Sequence, residues 1–206
     1  MKYLTLLLLL TTVVHYSFGQ DKTLLQQSNY FDKELKEWTK TFSNFNLSNF
    51  KIKDTLRFDN NSKQDFNSYK KFISIYKPII TYSPDSSKFI DIYSYQLNLE
   101  KKGNHYEANT EIDQAVLLCN SKTKYWNRIY FGGYSQWIDE VIWISSTKFL
   151  LVGIIKSSDN KKNSCILLGD TEKQTLIEFV NTNKLSFQKE KGYTSSKLKK
   201  IRIENL

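Results

Sequence analysis

The sequence predicts an α+β fold, with two N-terminal helices packed on a curved, mainly antiparallel β-meander. Three observations predict it. Apolar residues recur at helical spacing as far as Tyr76. From Ile79 onward they recur at period two. The later apolar runs are separated by short turns rich in Ser, Asp and Asn.

The first 19 residues stand apart from this plan. Lys2 supplies a positive start, Leu4 to Val14 is apolar apart from threonines, and Ser17-Phe18-Gly19 puts small residues where a leader is cut. The apolar stretch is shorter than the roughly 20 residues a helix needs to cross a bilayer. Residues 1–19 therefore read as a signal peptide, and 20–206 as a single mostly-β domain that is secreted or periplasmic. No later segment is apolar enough to span a membrane as a helix.

The first helix is predicted from Phe31, Leu35, Trp38, Phe42 and Phe45, which fall on one helical face. Ser28 or Asp32 caps it, and Lys33, Lys36, Glu37 and Lys40 occupy the opposite face. Phe50, Ile52, Leu56 and Phe58 then suggest one or two short strands. Phe66, Tyr69, Phe72, Ile73 and Tyr76 mark a second helix that stops before Pro78.

Alternation over 88–99 and 105–113 predicts a hairpin turning through Lys101-Lys102-Gly103-Asn104. Pairing Leu99 with Tyr106 and Tyr93 with Ile112 keeps the apolar and polar faces apart. Further strands are expected at 114–119, 124–131, 141–145, 148–156, 163–169 and 174–180. The run from Phe149 to Ile155 is apolar on both faces, as a strand covered on both sides requires. Gly132-Gly133 permits a sharp bend. The basic tail suggests two short strands, at 185–187 and 197–203.

Two stretches resemble each other. Ile80-Thr81-Tyr82-Ser83-Pro84-Asp85-Ser86-Ser87-Lys88-Phe89 lies beside Ile142-Trp143-Ile144-Ser145-Ser146-Thr147-Lys148-Phe149. Val116-Leu117-Leu118-Cys119-Asn120-Ser121-Lys122 lies beside Ile166-Leu167-Leu168-Gly169-Asp170-Thr171-Glu172. The plan resembles a blade of the β-propeller proteins, of the TolB-like or WD-repeat kind, with copies at 79–131 and 141–180. The resemblance implies a meander of antiparallel strands and no particular functional residue. Two blades do not close a propeller, which takes at least about four.

Charge and absences narrow the function. Without Lys2 the chain holds 29 basic and 21 acidic residues, a net +8. Only three of the basic residues are arginines (Arg57, Arg128, Arg202), too few for a reader of phosphates or bases. Nucleic acid is not an expected partner, and a monomer is expected. His105 is the one histidine beyond the leader, so histidine-based zinc motifs are excluded. No Gly-x-Ser-x-Gly elbow or phosphate-cradling glycine loop occurs, and no cofactor or metal site is read. Cys119 and Cys165 lie in apolar strand-like runs, and whether they pair stays open.

Two constellations remain. One is a polar strand face holding His105, Glu107, Asn109, Glu111 and Asp113, whose alternate members lie about 6.6 Å apart. Paired carboxylates at that spacing suit acid–base chemistry. The other is the aromatic set Tyr125, Trp126, Tyr130, Tyr134, Trp137 and Trp143, which suits stacking on a glycan or packing on a protein. Asp91, on the apolar side of its strand, needs a donor and is expected to find one in a turn or a lysine. The sequence reads as an exported, non-enzymatic binding protein with a protein or glycan partner of the cell envelope. The alternatives are a secreted inhibitor or immunity protein, and a hydrolase using the acidic strand face.

Overall fold

The computed structural model describes residues 23–58, 64–65 and 69–204, which fold mainly into antiparallel sheet. The leader, Phe66 and the two C-terminal residues lie outside this range.

The described residues open with a helical turn at 23–25, followed by two short helices, α1 (Ser28–Asp32) and α2 (Lys36–Thr39). The continuous helix expected through Phe45 is absent. Lys33 leaves the helical region at φ −114°, ψ −84°, and neither helix has a side-chain N-cap bond. The apolar stripe still works as one unit: Phe31, Leu35, Trp38 and Phe42 are all buried. Tertiary packing keeps their common face where local propensity does not keep the helix.

Then follow β1 (Phe50–Arg57), β2 (Gln64–Asp65), helix α3 (Tyr69–Tyr76), β3 (Thr81–Tyr82), β4 (Lys88–Asp91), β5 (Leu97–Lys102) and β6 (His105–Thr110). The remaining strands are β7 (Gln114–Asn120), β8 (Tyr125–Gly132), β9 (Gln136–Trp143), β10 (Lys148–Lys156), β11 (Lys162–Asp170), β12 (Thr175–Asn181) and β13 (Ile203–Glu204). They form a sheet in the order β1-β12-β11-β10-β9, another in the order β2-β8-β7-β4-β3, and a three-stranded sheet β13-β6-β5. All pairs are antiparallel except β13 with β6.

The first sheet lies between two apolar layers. Phe149 and Leu151 of β10 pack with Phe89, Val116 and Ile90 of the second sheet. Leu150, Val152 and Ile154 pack with Leu35, Trp38 and Phe42 of the N-terminal segment. Strand β10 is thus apolar on both faces because both faces are covered.

The two stretches matched in sequence occupy matching places in these sheets. β3, β4, β7 and β8 form one antiparallel run, and β9, β10, β11 and β12 the other. Each run gains a fifth strand from earlier in the chain, β2 on β8 and β1 on β12. Their turns share side-chain logic. Asn120 Oδ1 accepts from the backbone N–H of Lys122 and Thr123, and Asp170 Oδ1 from those of Glu172 and Lys173. Lys124 and Gln174, the last residues of these turns, both have positive φ, at 61° and 55°. Ser121 N–H donates to Ser87, and Thr171 N–H to Thr147.

Two expectations about the hairpin are corrected. Residues 88–99 are not one strand. Asp91 Oδ1 accepts from the backbone N–H of Tyr93 and Ser94, and the Ser94 hydroxyl also donates to the carboxylate. This turn ends β4 and sends the chain into another sheet, and burial pushes the Asp91 pKa up. The register also differs, with Leu99 facing Ala108 and Lys101 facing Tyr106. The loop is only Gly103-Asn104, with Gly103 at φ 61° as a primed two-residue turn requires. A slip of two residues leaves both faces intact, so alternation alone could not choose between the registers.

The tail carries a short 3-10 turn over Leu198–Lys200 and the two-residue β13, with no strand at 185–187. The cysteines are free and buried. Burial pushes the thiols of Cys119 and Cys165 up to about 12.

A Cβ at Gly169 would collide with the ring of Phe149, its cross-strand partner. Gly169→Ala is expected to destabilise the protein by about 1–3 kcal/mol. Phe149→Leu in the same chain should recover part of that loss, as urea melts of the single and double variants will test.

Candidate functional site

The site is built around an irregularity in β9. Val152 pairs with Glu140 and Gly153 with Ile138, so Asp139 is an extra residue in a β-bulge. Gly153 is needed here, since a Cβ would strike the carbonyl of Trp137. The bulge frees backbone groups that the neighbouring sheet then satisfies. The buried Gln114 amide donates to Ile138 O at 3.0 Å and to Ile92 O at 2.9 Å, and its carbonyl accepts from Ile138 N–H at 2.6 Å.

The two acids of the bulge have different partners. Glu140 is 3% exposed and accepts from Tyr193 Oη at 3.0 Å, Ser195 Oγ at 2.6 Å and Lys197 Nζ. Lys197 also donates to the carbonyl of Val141 at 3.3 Å. One buried carboxylate therefore fastens the tail across the sheet. A buried charge needs that many donors to offset its lost hydration.

Asp139 accepts from the Trp38 indole N–H at 3.0 Å, which ties the bulge to the helical layer. Its side chain is half-buried and lines a cavity. Burial pushes its pKa up to about 7. The Trp38 hydrogen bond opposes that rise, and the nearby Glu140 adds to it. A carboxyl that loses its proton near neutrality beside a cavity has the properties of a general acid or base, or of a hydrogen-bonding group of switchable charge.

The cavity holds about 310 Å³, between the bulge, the bend after β4 and the tail. Tyr93, Gln96, Thr110, Trp137, Tyr193 and Ser195 contribute to its wall. The Tyr93 hydroxyl is buried beside Ser195 and makes no hydrogen bond of good geometry. A larger cleft of about 900 Å³ runs along Phe31, Phe42, Phe45 and Lys189, but no buried acid lines it.

The aromatic set divides. Tyr130 and Trp143 belong to the core, and the Trp143 indole donates to Thr81 O at 3.0 Å. Trp126 is half-buried against the same core. Tyr125 is exposed at the far end of β8 from the hairpin that joins β8 to β9. Tyr134 and Trp137 do come together, with Lys156 Nζ lying 4.9 Å from one ring centroid and 5.5 Å from the other. Lys162 Nζ lies 5.4 Å from the Trp137 ring.

The acidic face divides as well. His105 and Glu107 lie on β6, whereas Glu111 and Asp113 fall in the bend after it. His105 meets Glu204 at 3.4 Å, and Glu107 faces Glu100 across the hairpin. Among the described residues no group of three His, Cys, Asp or Glu side chains is arranged to hold a metal ion.

A second feature adjoins the cavity. Tyr95, Ile112, Phe131 and Tyr134 are exposed by 45%, 77%, 43% and 66%. Glu111 N–H donates to Gln96 O at 2.8 Å, which joins the loops that carry Tyr95 and Ile112. Tyr95 meets Phe131 edge-on at 5.9 Å, and Arg128 lies 5.2 Å from the Phe131 ring. The sequence signal for both features was the Trp137-Ile138-Asp139-Glu140-Val141 segment. There, two acids interrupt an apolar strand beside a glycine-rich hairpin.

No protein-family model, curated protein or solved structure matches the chain.

The Asp139 pKa of about 7 exceeds the ordinary 3.8, so the folded state holds this proton more tightly than the unfolded chain does. Stability from this group is fully present below about pH 4 and is lost as pH rises through 7. Asp139→Asn removes the titration while keeping an acceptor for Trp38. Its stability relative to wild type should rise by about 2–3 kcal/mol between pH 5 and pH 8, measured by urea melts. A difference that does not change with pH would contradict the assignment.

Proposed function

We propose that the protein is an exported, non-enzymatic binding protein of the cell envelope or secreted space. In this reading its working surface is the apolar patch of Tyr95, Ile112, Phe131 and Tyr134, and its partner is another protein. The observation that carries the reading is the exposure of these four side chains, two of which, Tyr95 and Phe131, meet edge-on. Large apolar and aromatic groups left in water together are typical of interaction surfaces. Arg128 and Lys156 lie over the rings and favour a partner with acidic groups around an apolar centre. The patch also suits a secreted inhibitor or immunity protein, which would need the same kind of surface. The hydrolase reading has less support, because Glu111 and Asp113 do not continue the β6 face that bears His105 and Glu107.

Export rests on the leader-like residues 1–19, with cleavage near Gly19. No helix among the described residues is long and apolar enough to cross a membrane. We read the fold as α+β, with its N-terminal helices packed on the meander, and its two five-stranded sheets as blade-like repeats. The matching turns at Asn120 and Asp170 support the kinship with propeller blades.

Phe131→Ser with Tyr134→Ser should abolish retention of the partner that the tagged wild-type protein captures from envelope extracts. Both side chains are exposed, so stability should change by no more than about 0.5 kcal/mol per site. Equal capture by the double variant and the wild type would remove the patch from the account.

A further inference from the structure

Three features of the cavity beside the bulge point to a ligand. The first is its size. At about 310 Å³ it lies at the small end of ligand pockets, which run from about 300 to 1,000 Å³. A single small ring fits that space, and a nucleotide or a peptide segment does not.

The second is an unused polar group. Tyr93 is 5% exposed, lines the cavity, and carries a hydroxyl that lies beside Ser195 without a hydrogen bond of good geometry. A buried hydroxyl without a partner is costly. A ligand hydroxyl would satisfy it.

The third is the balance of the wall. Gln96, Thr110 and Thr194 are neutral hydrogen-bonding residues, and Trp137 offers an aromatic surface. Asp139 in the wall disfavours an anion. Lys156 and Lys162 stand over Trp137 and disfavour a cation. A neutral molecule with many hydroxyls meets neither penalty, and it matches Tyr193 and Ser195, whose protons already point to Glu140 and whose oxygens can accept.

We propose that this cavity binds a neutral polyhydroxylated ring of monosaccharide size, held by Tyr93, Asp139 and Tyr193 against Trp137. The site is distinct from the apolar patch, and a sugar displayed on a larger partner would reach both.

The test is isothermal titration of the full chain with D-glucose, D-galactose, D-mannose and N-acetyl-D-glucosamine. At least one should saturate with a Kd of about 10 mM or tighter. Tyr93→Phe should weaken that sugar about tenfold with little change in melting temperature, because the lost hydroxyl makes no hydrogen bond of good geometry in the free protein. Phe131→Ser should bind the sugar as wild type does, which separates this site from the protein-binding patch. The proposal is overturned if none of the four sugars saturates. It is equally overturned if Tyr93→Phe and Asp139→Asn both bind as wild type does.

Discussion

The β-bulge at Asp139 in β9 is the point on which the layers of this protein meet. Gln114 reaches it from the second sheet and takes both backbone groups of Ile138. Trp38 reaches it from the helical layer through Asp139. Tyr193, Ser195 and Lys197 reach it from the tail through Glu140. The extra residue breaks the alternation of a regular strand, and the consecutive acids Asp139 and Glu140 take partners from two different segments. Without the bulge Ile138 and Val141, three residues apart, could not both face the core they share, and the sheet would lose its polar links to three other segments.

Those links have a common energetic character. Each buries a polar group whose partner lies far away in sequence. Such contacts add little to stability when complete and cost much when broken. Their value is therefore in fixing one arrangement. They also explain why a polar cavity exists here at all. The tail is held across the sheet by a charge cluster, so the space beneath it is not filled by apolar packing. The apolar layers around β10 supply the burial, and the bulge supplies the placement.

Much of this fold could be read from sequence because it follows period and turn chemistry. Strands β7, β8, β10, β11 and β12 lie close to their expected places, whereas β9 was expected at 141–145 and runs from Gln136 to Trp143; the two-faced apolar run of β10 identified a covered strand correctly. The repeated turns were legible because Asn120 and Asp170 hydrogen-bond to their own neighbourhoods. Asp91 was recognised as an acid in need of a donor from a turn or a lysine, although not as the residue that ends β4. The misses are of one physical kind. The N-terminal stripe keeps helical spacing while the backbone does not, because long-range packing satisfies the pattern. The hairpin register slipped by an even number, which alternation cannot detect. The site was missed because its acids lie within an apolar strand and their partners come from residues 38 and 193–197, while Gln114 reaches the backbone beside them. No local pattern announces those contacts. The aromatic set was judged by composition, and position then sent Tyr130 and Trp143 into the core and left Tyr134 outside.

The central claim is that the buried Glu140 carboxylate holds the tail over β9 and thereby shapes the site. Amide hydrogen exchange in Glu140→Gln tests it most directly, by comparing residues 193–201 with the strands β10 and β11. The account predicts that exchange in the tail speeds up at least about tenfold, as loss of one charged clasp implies, while β10 and β11 remain as protected as in wild type. A tail that stays as protected as in wild type would contradict the account.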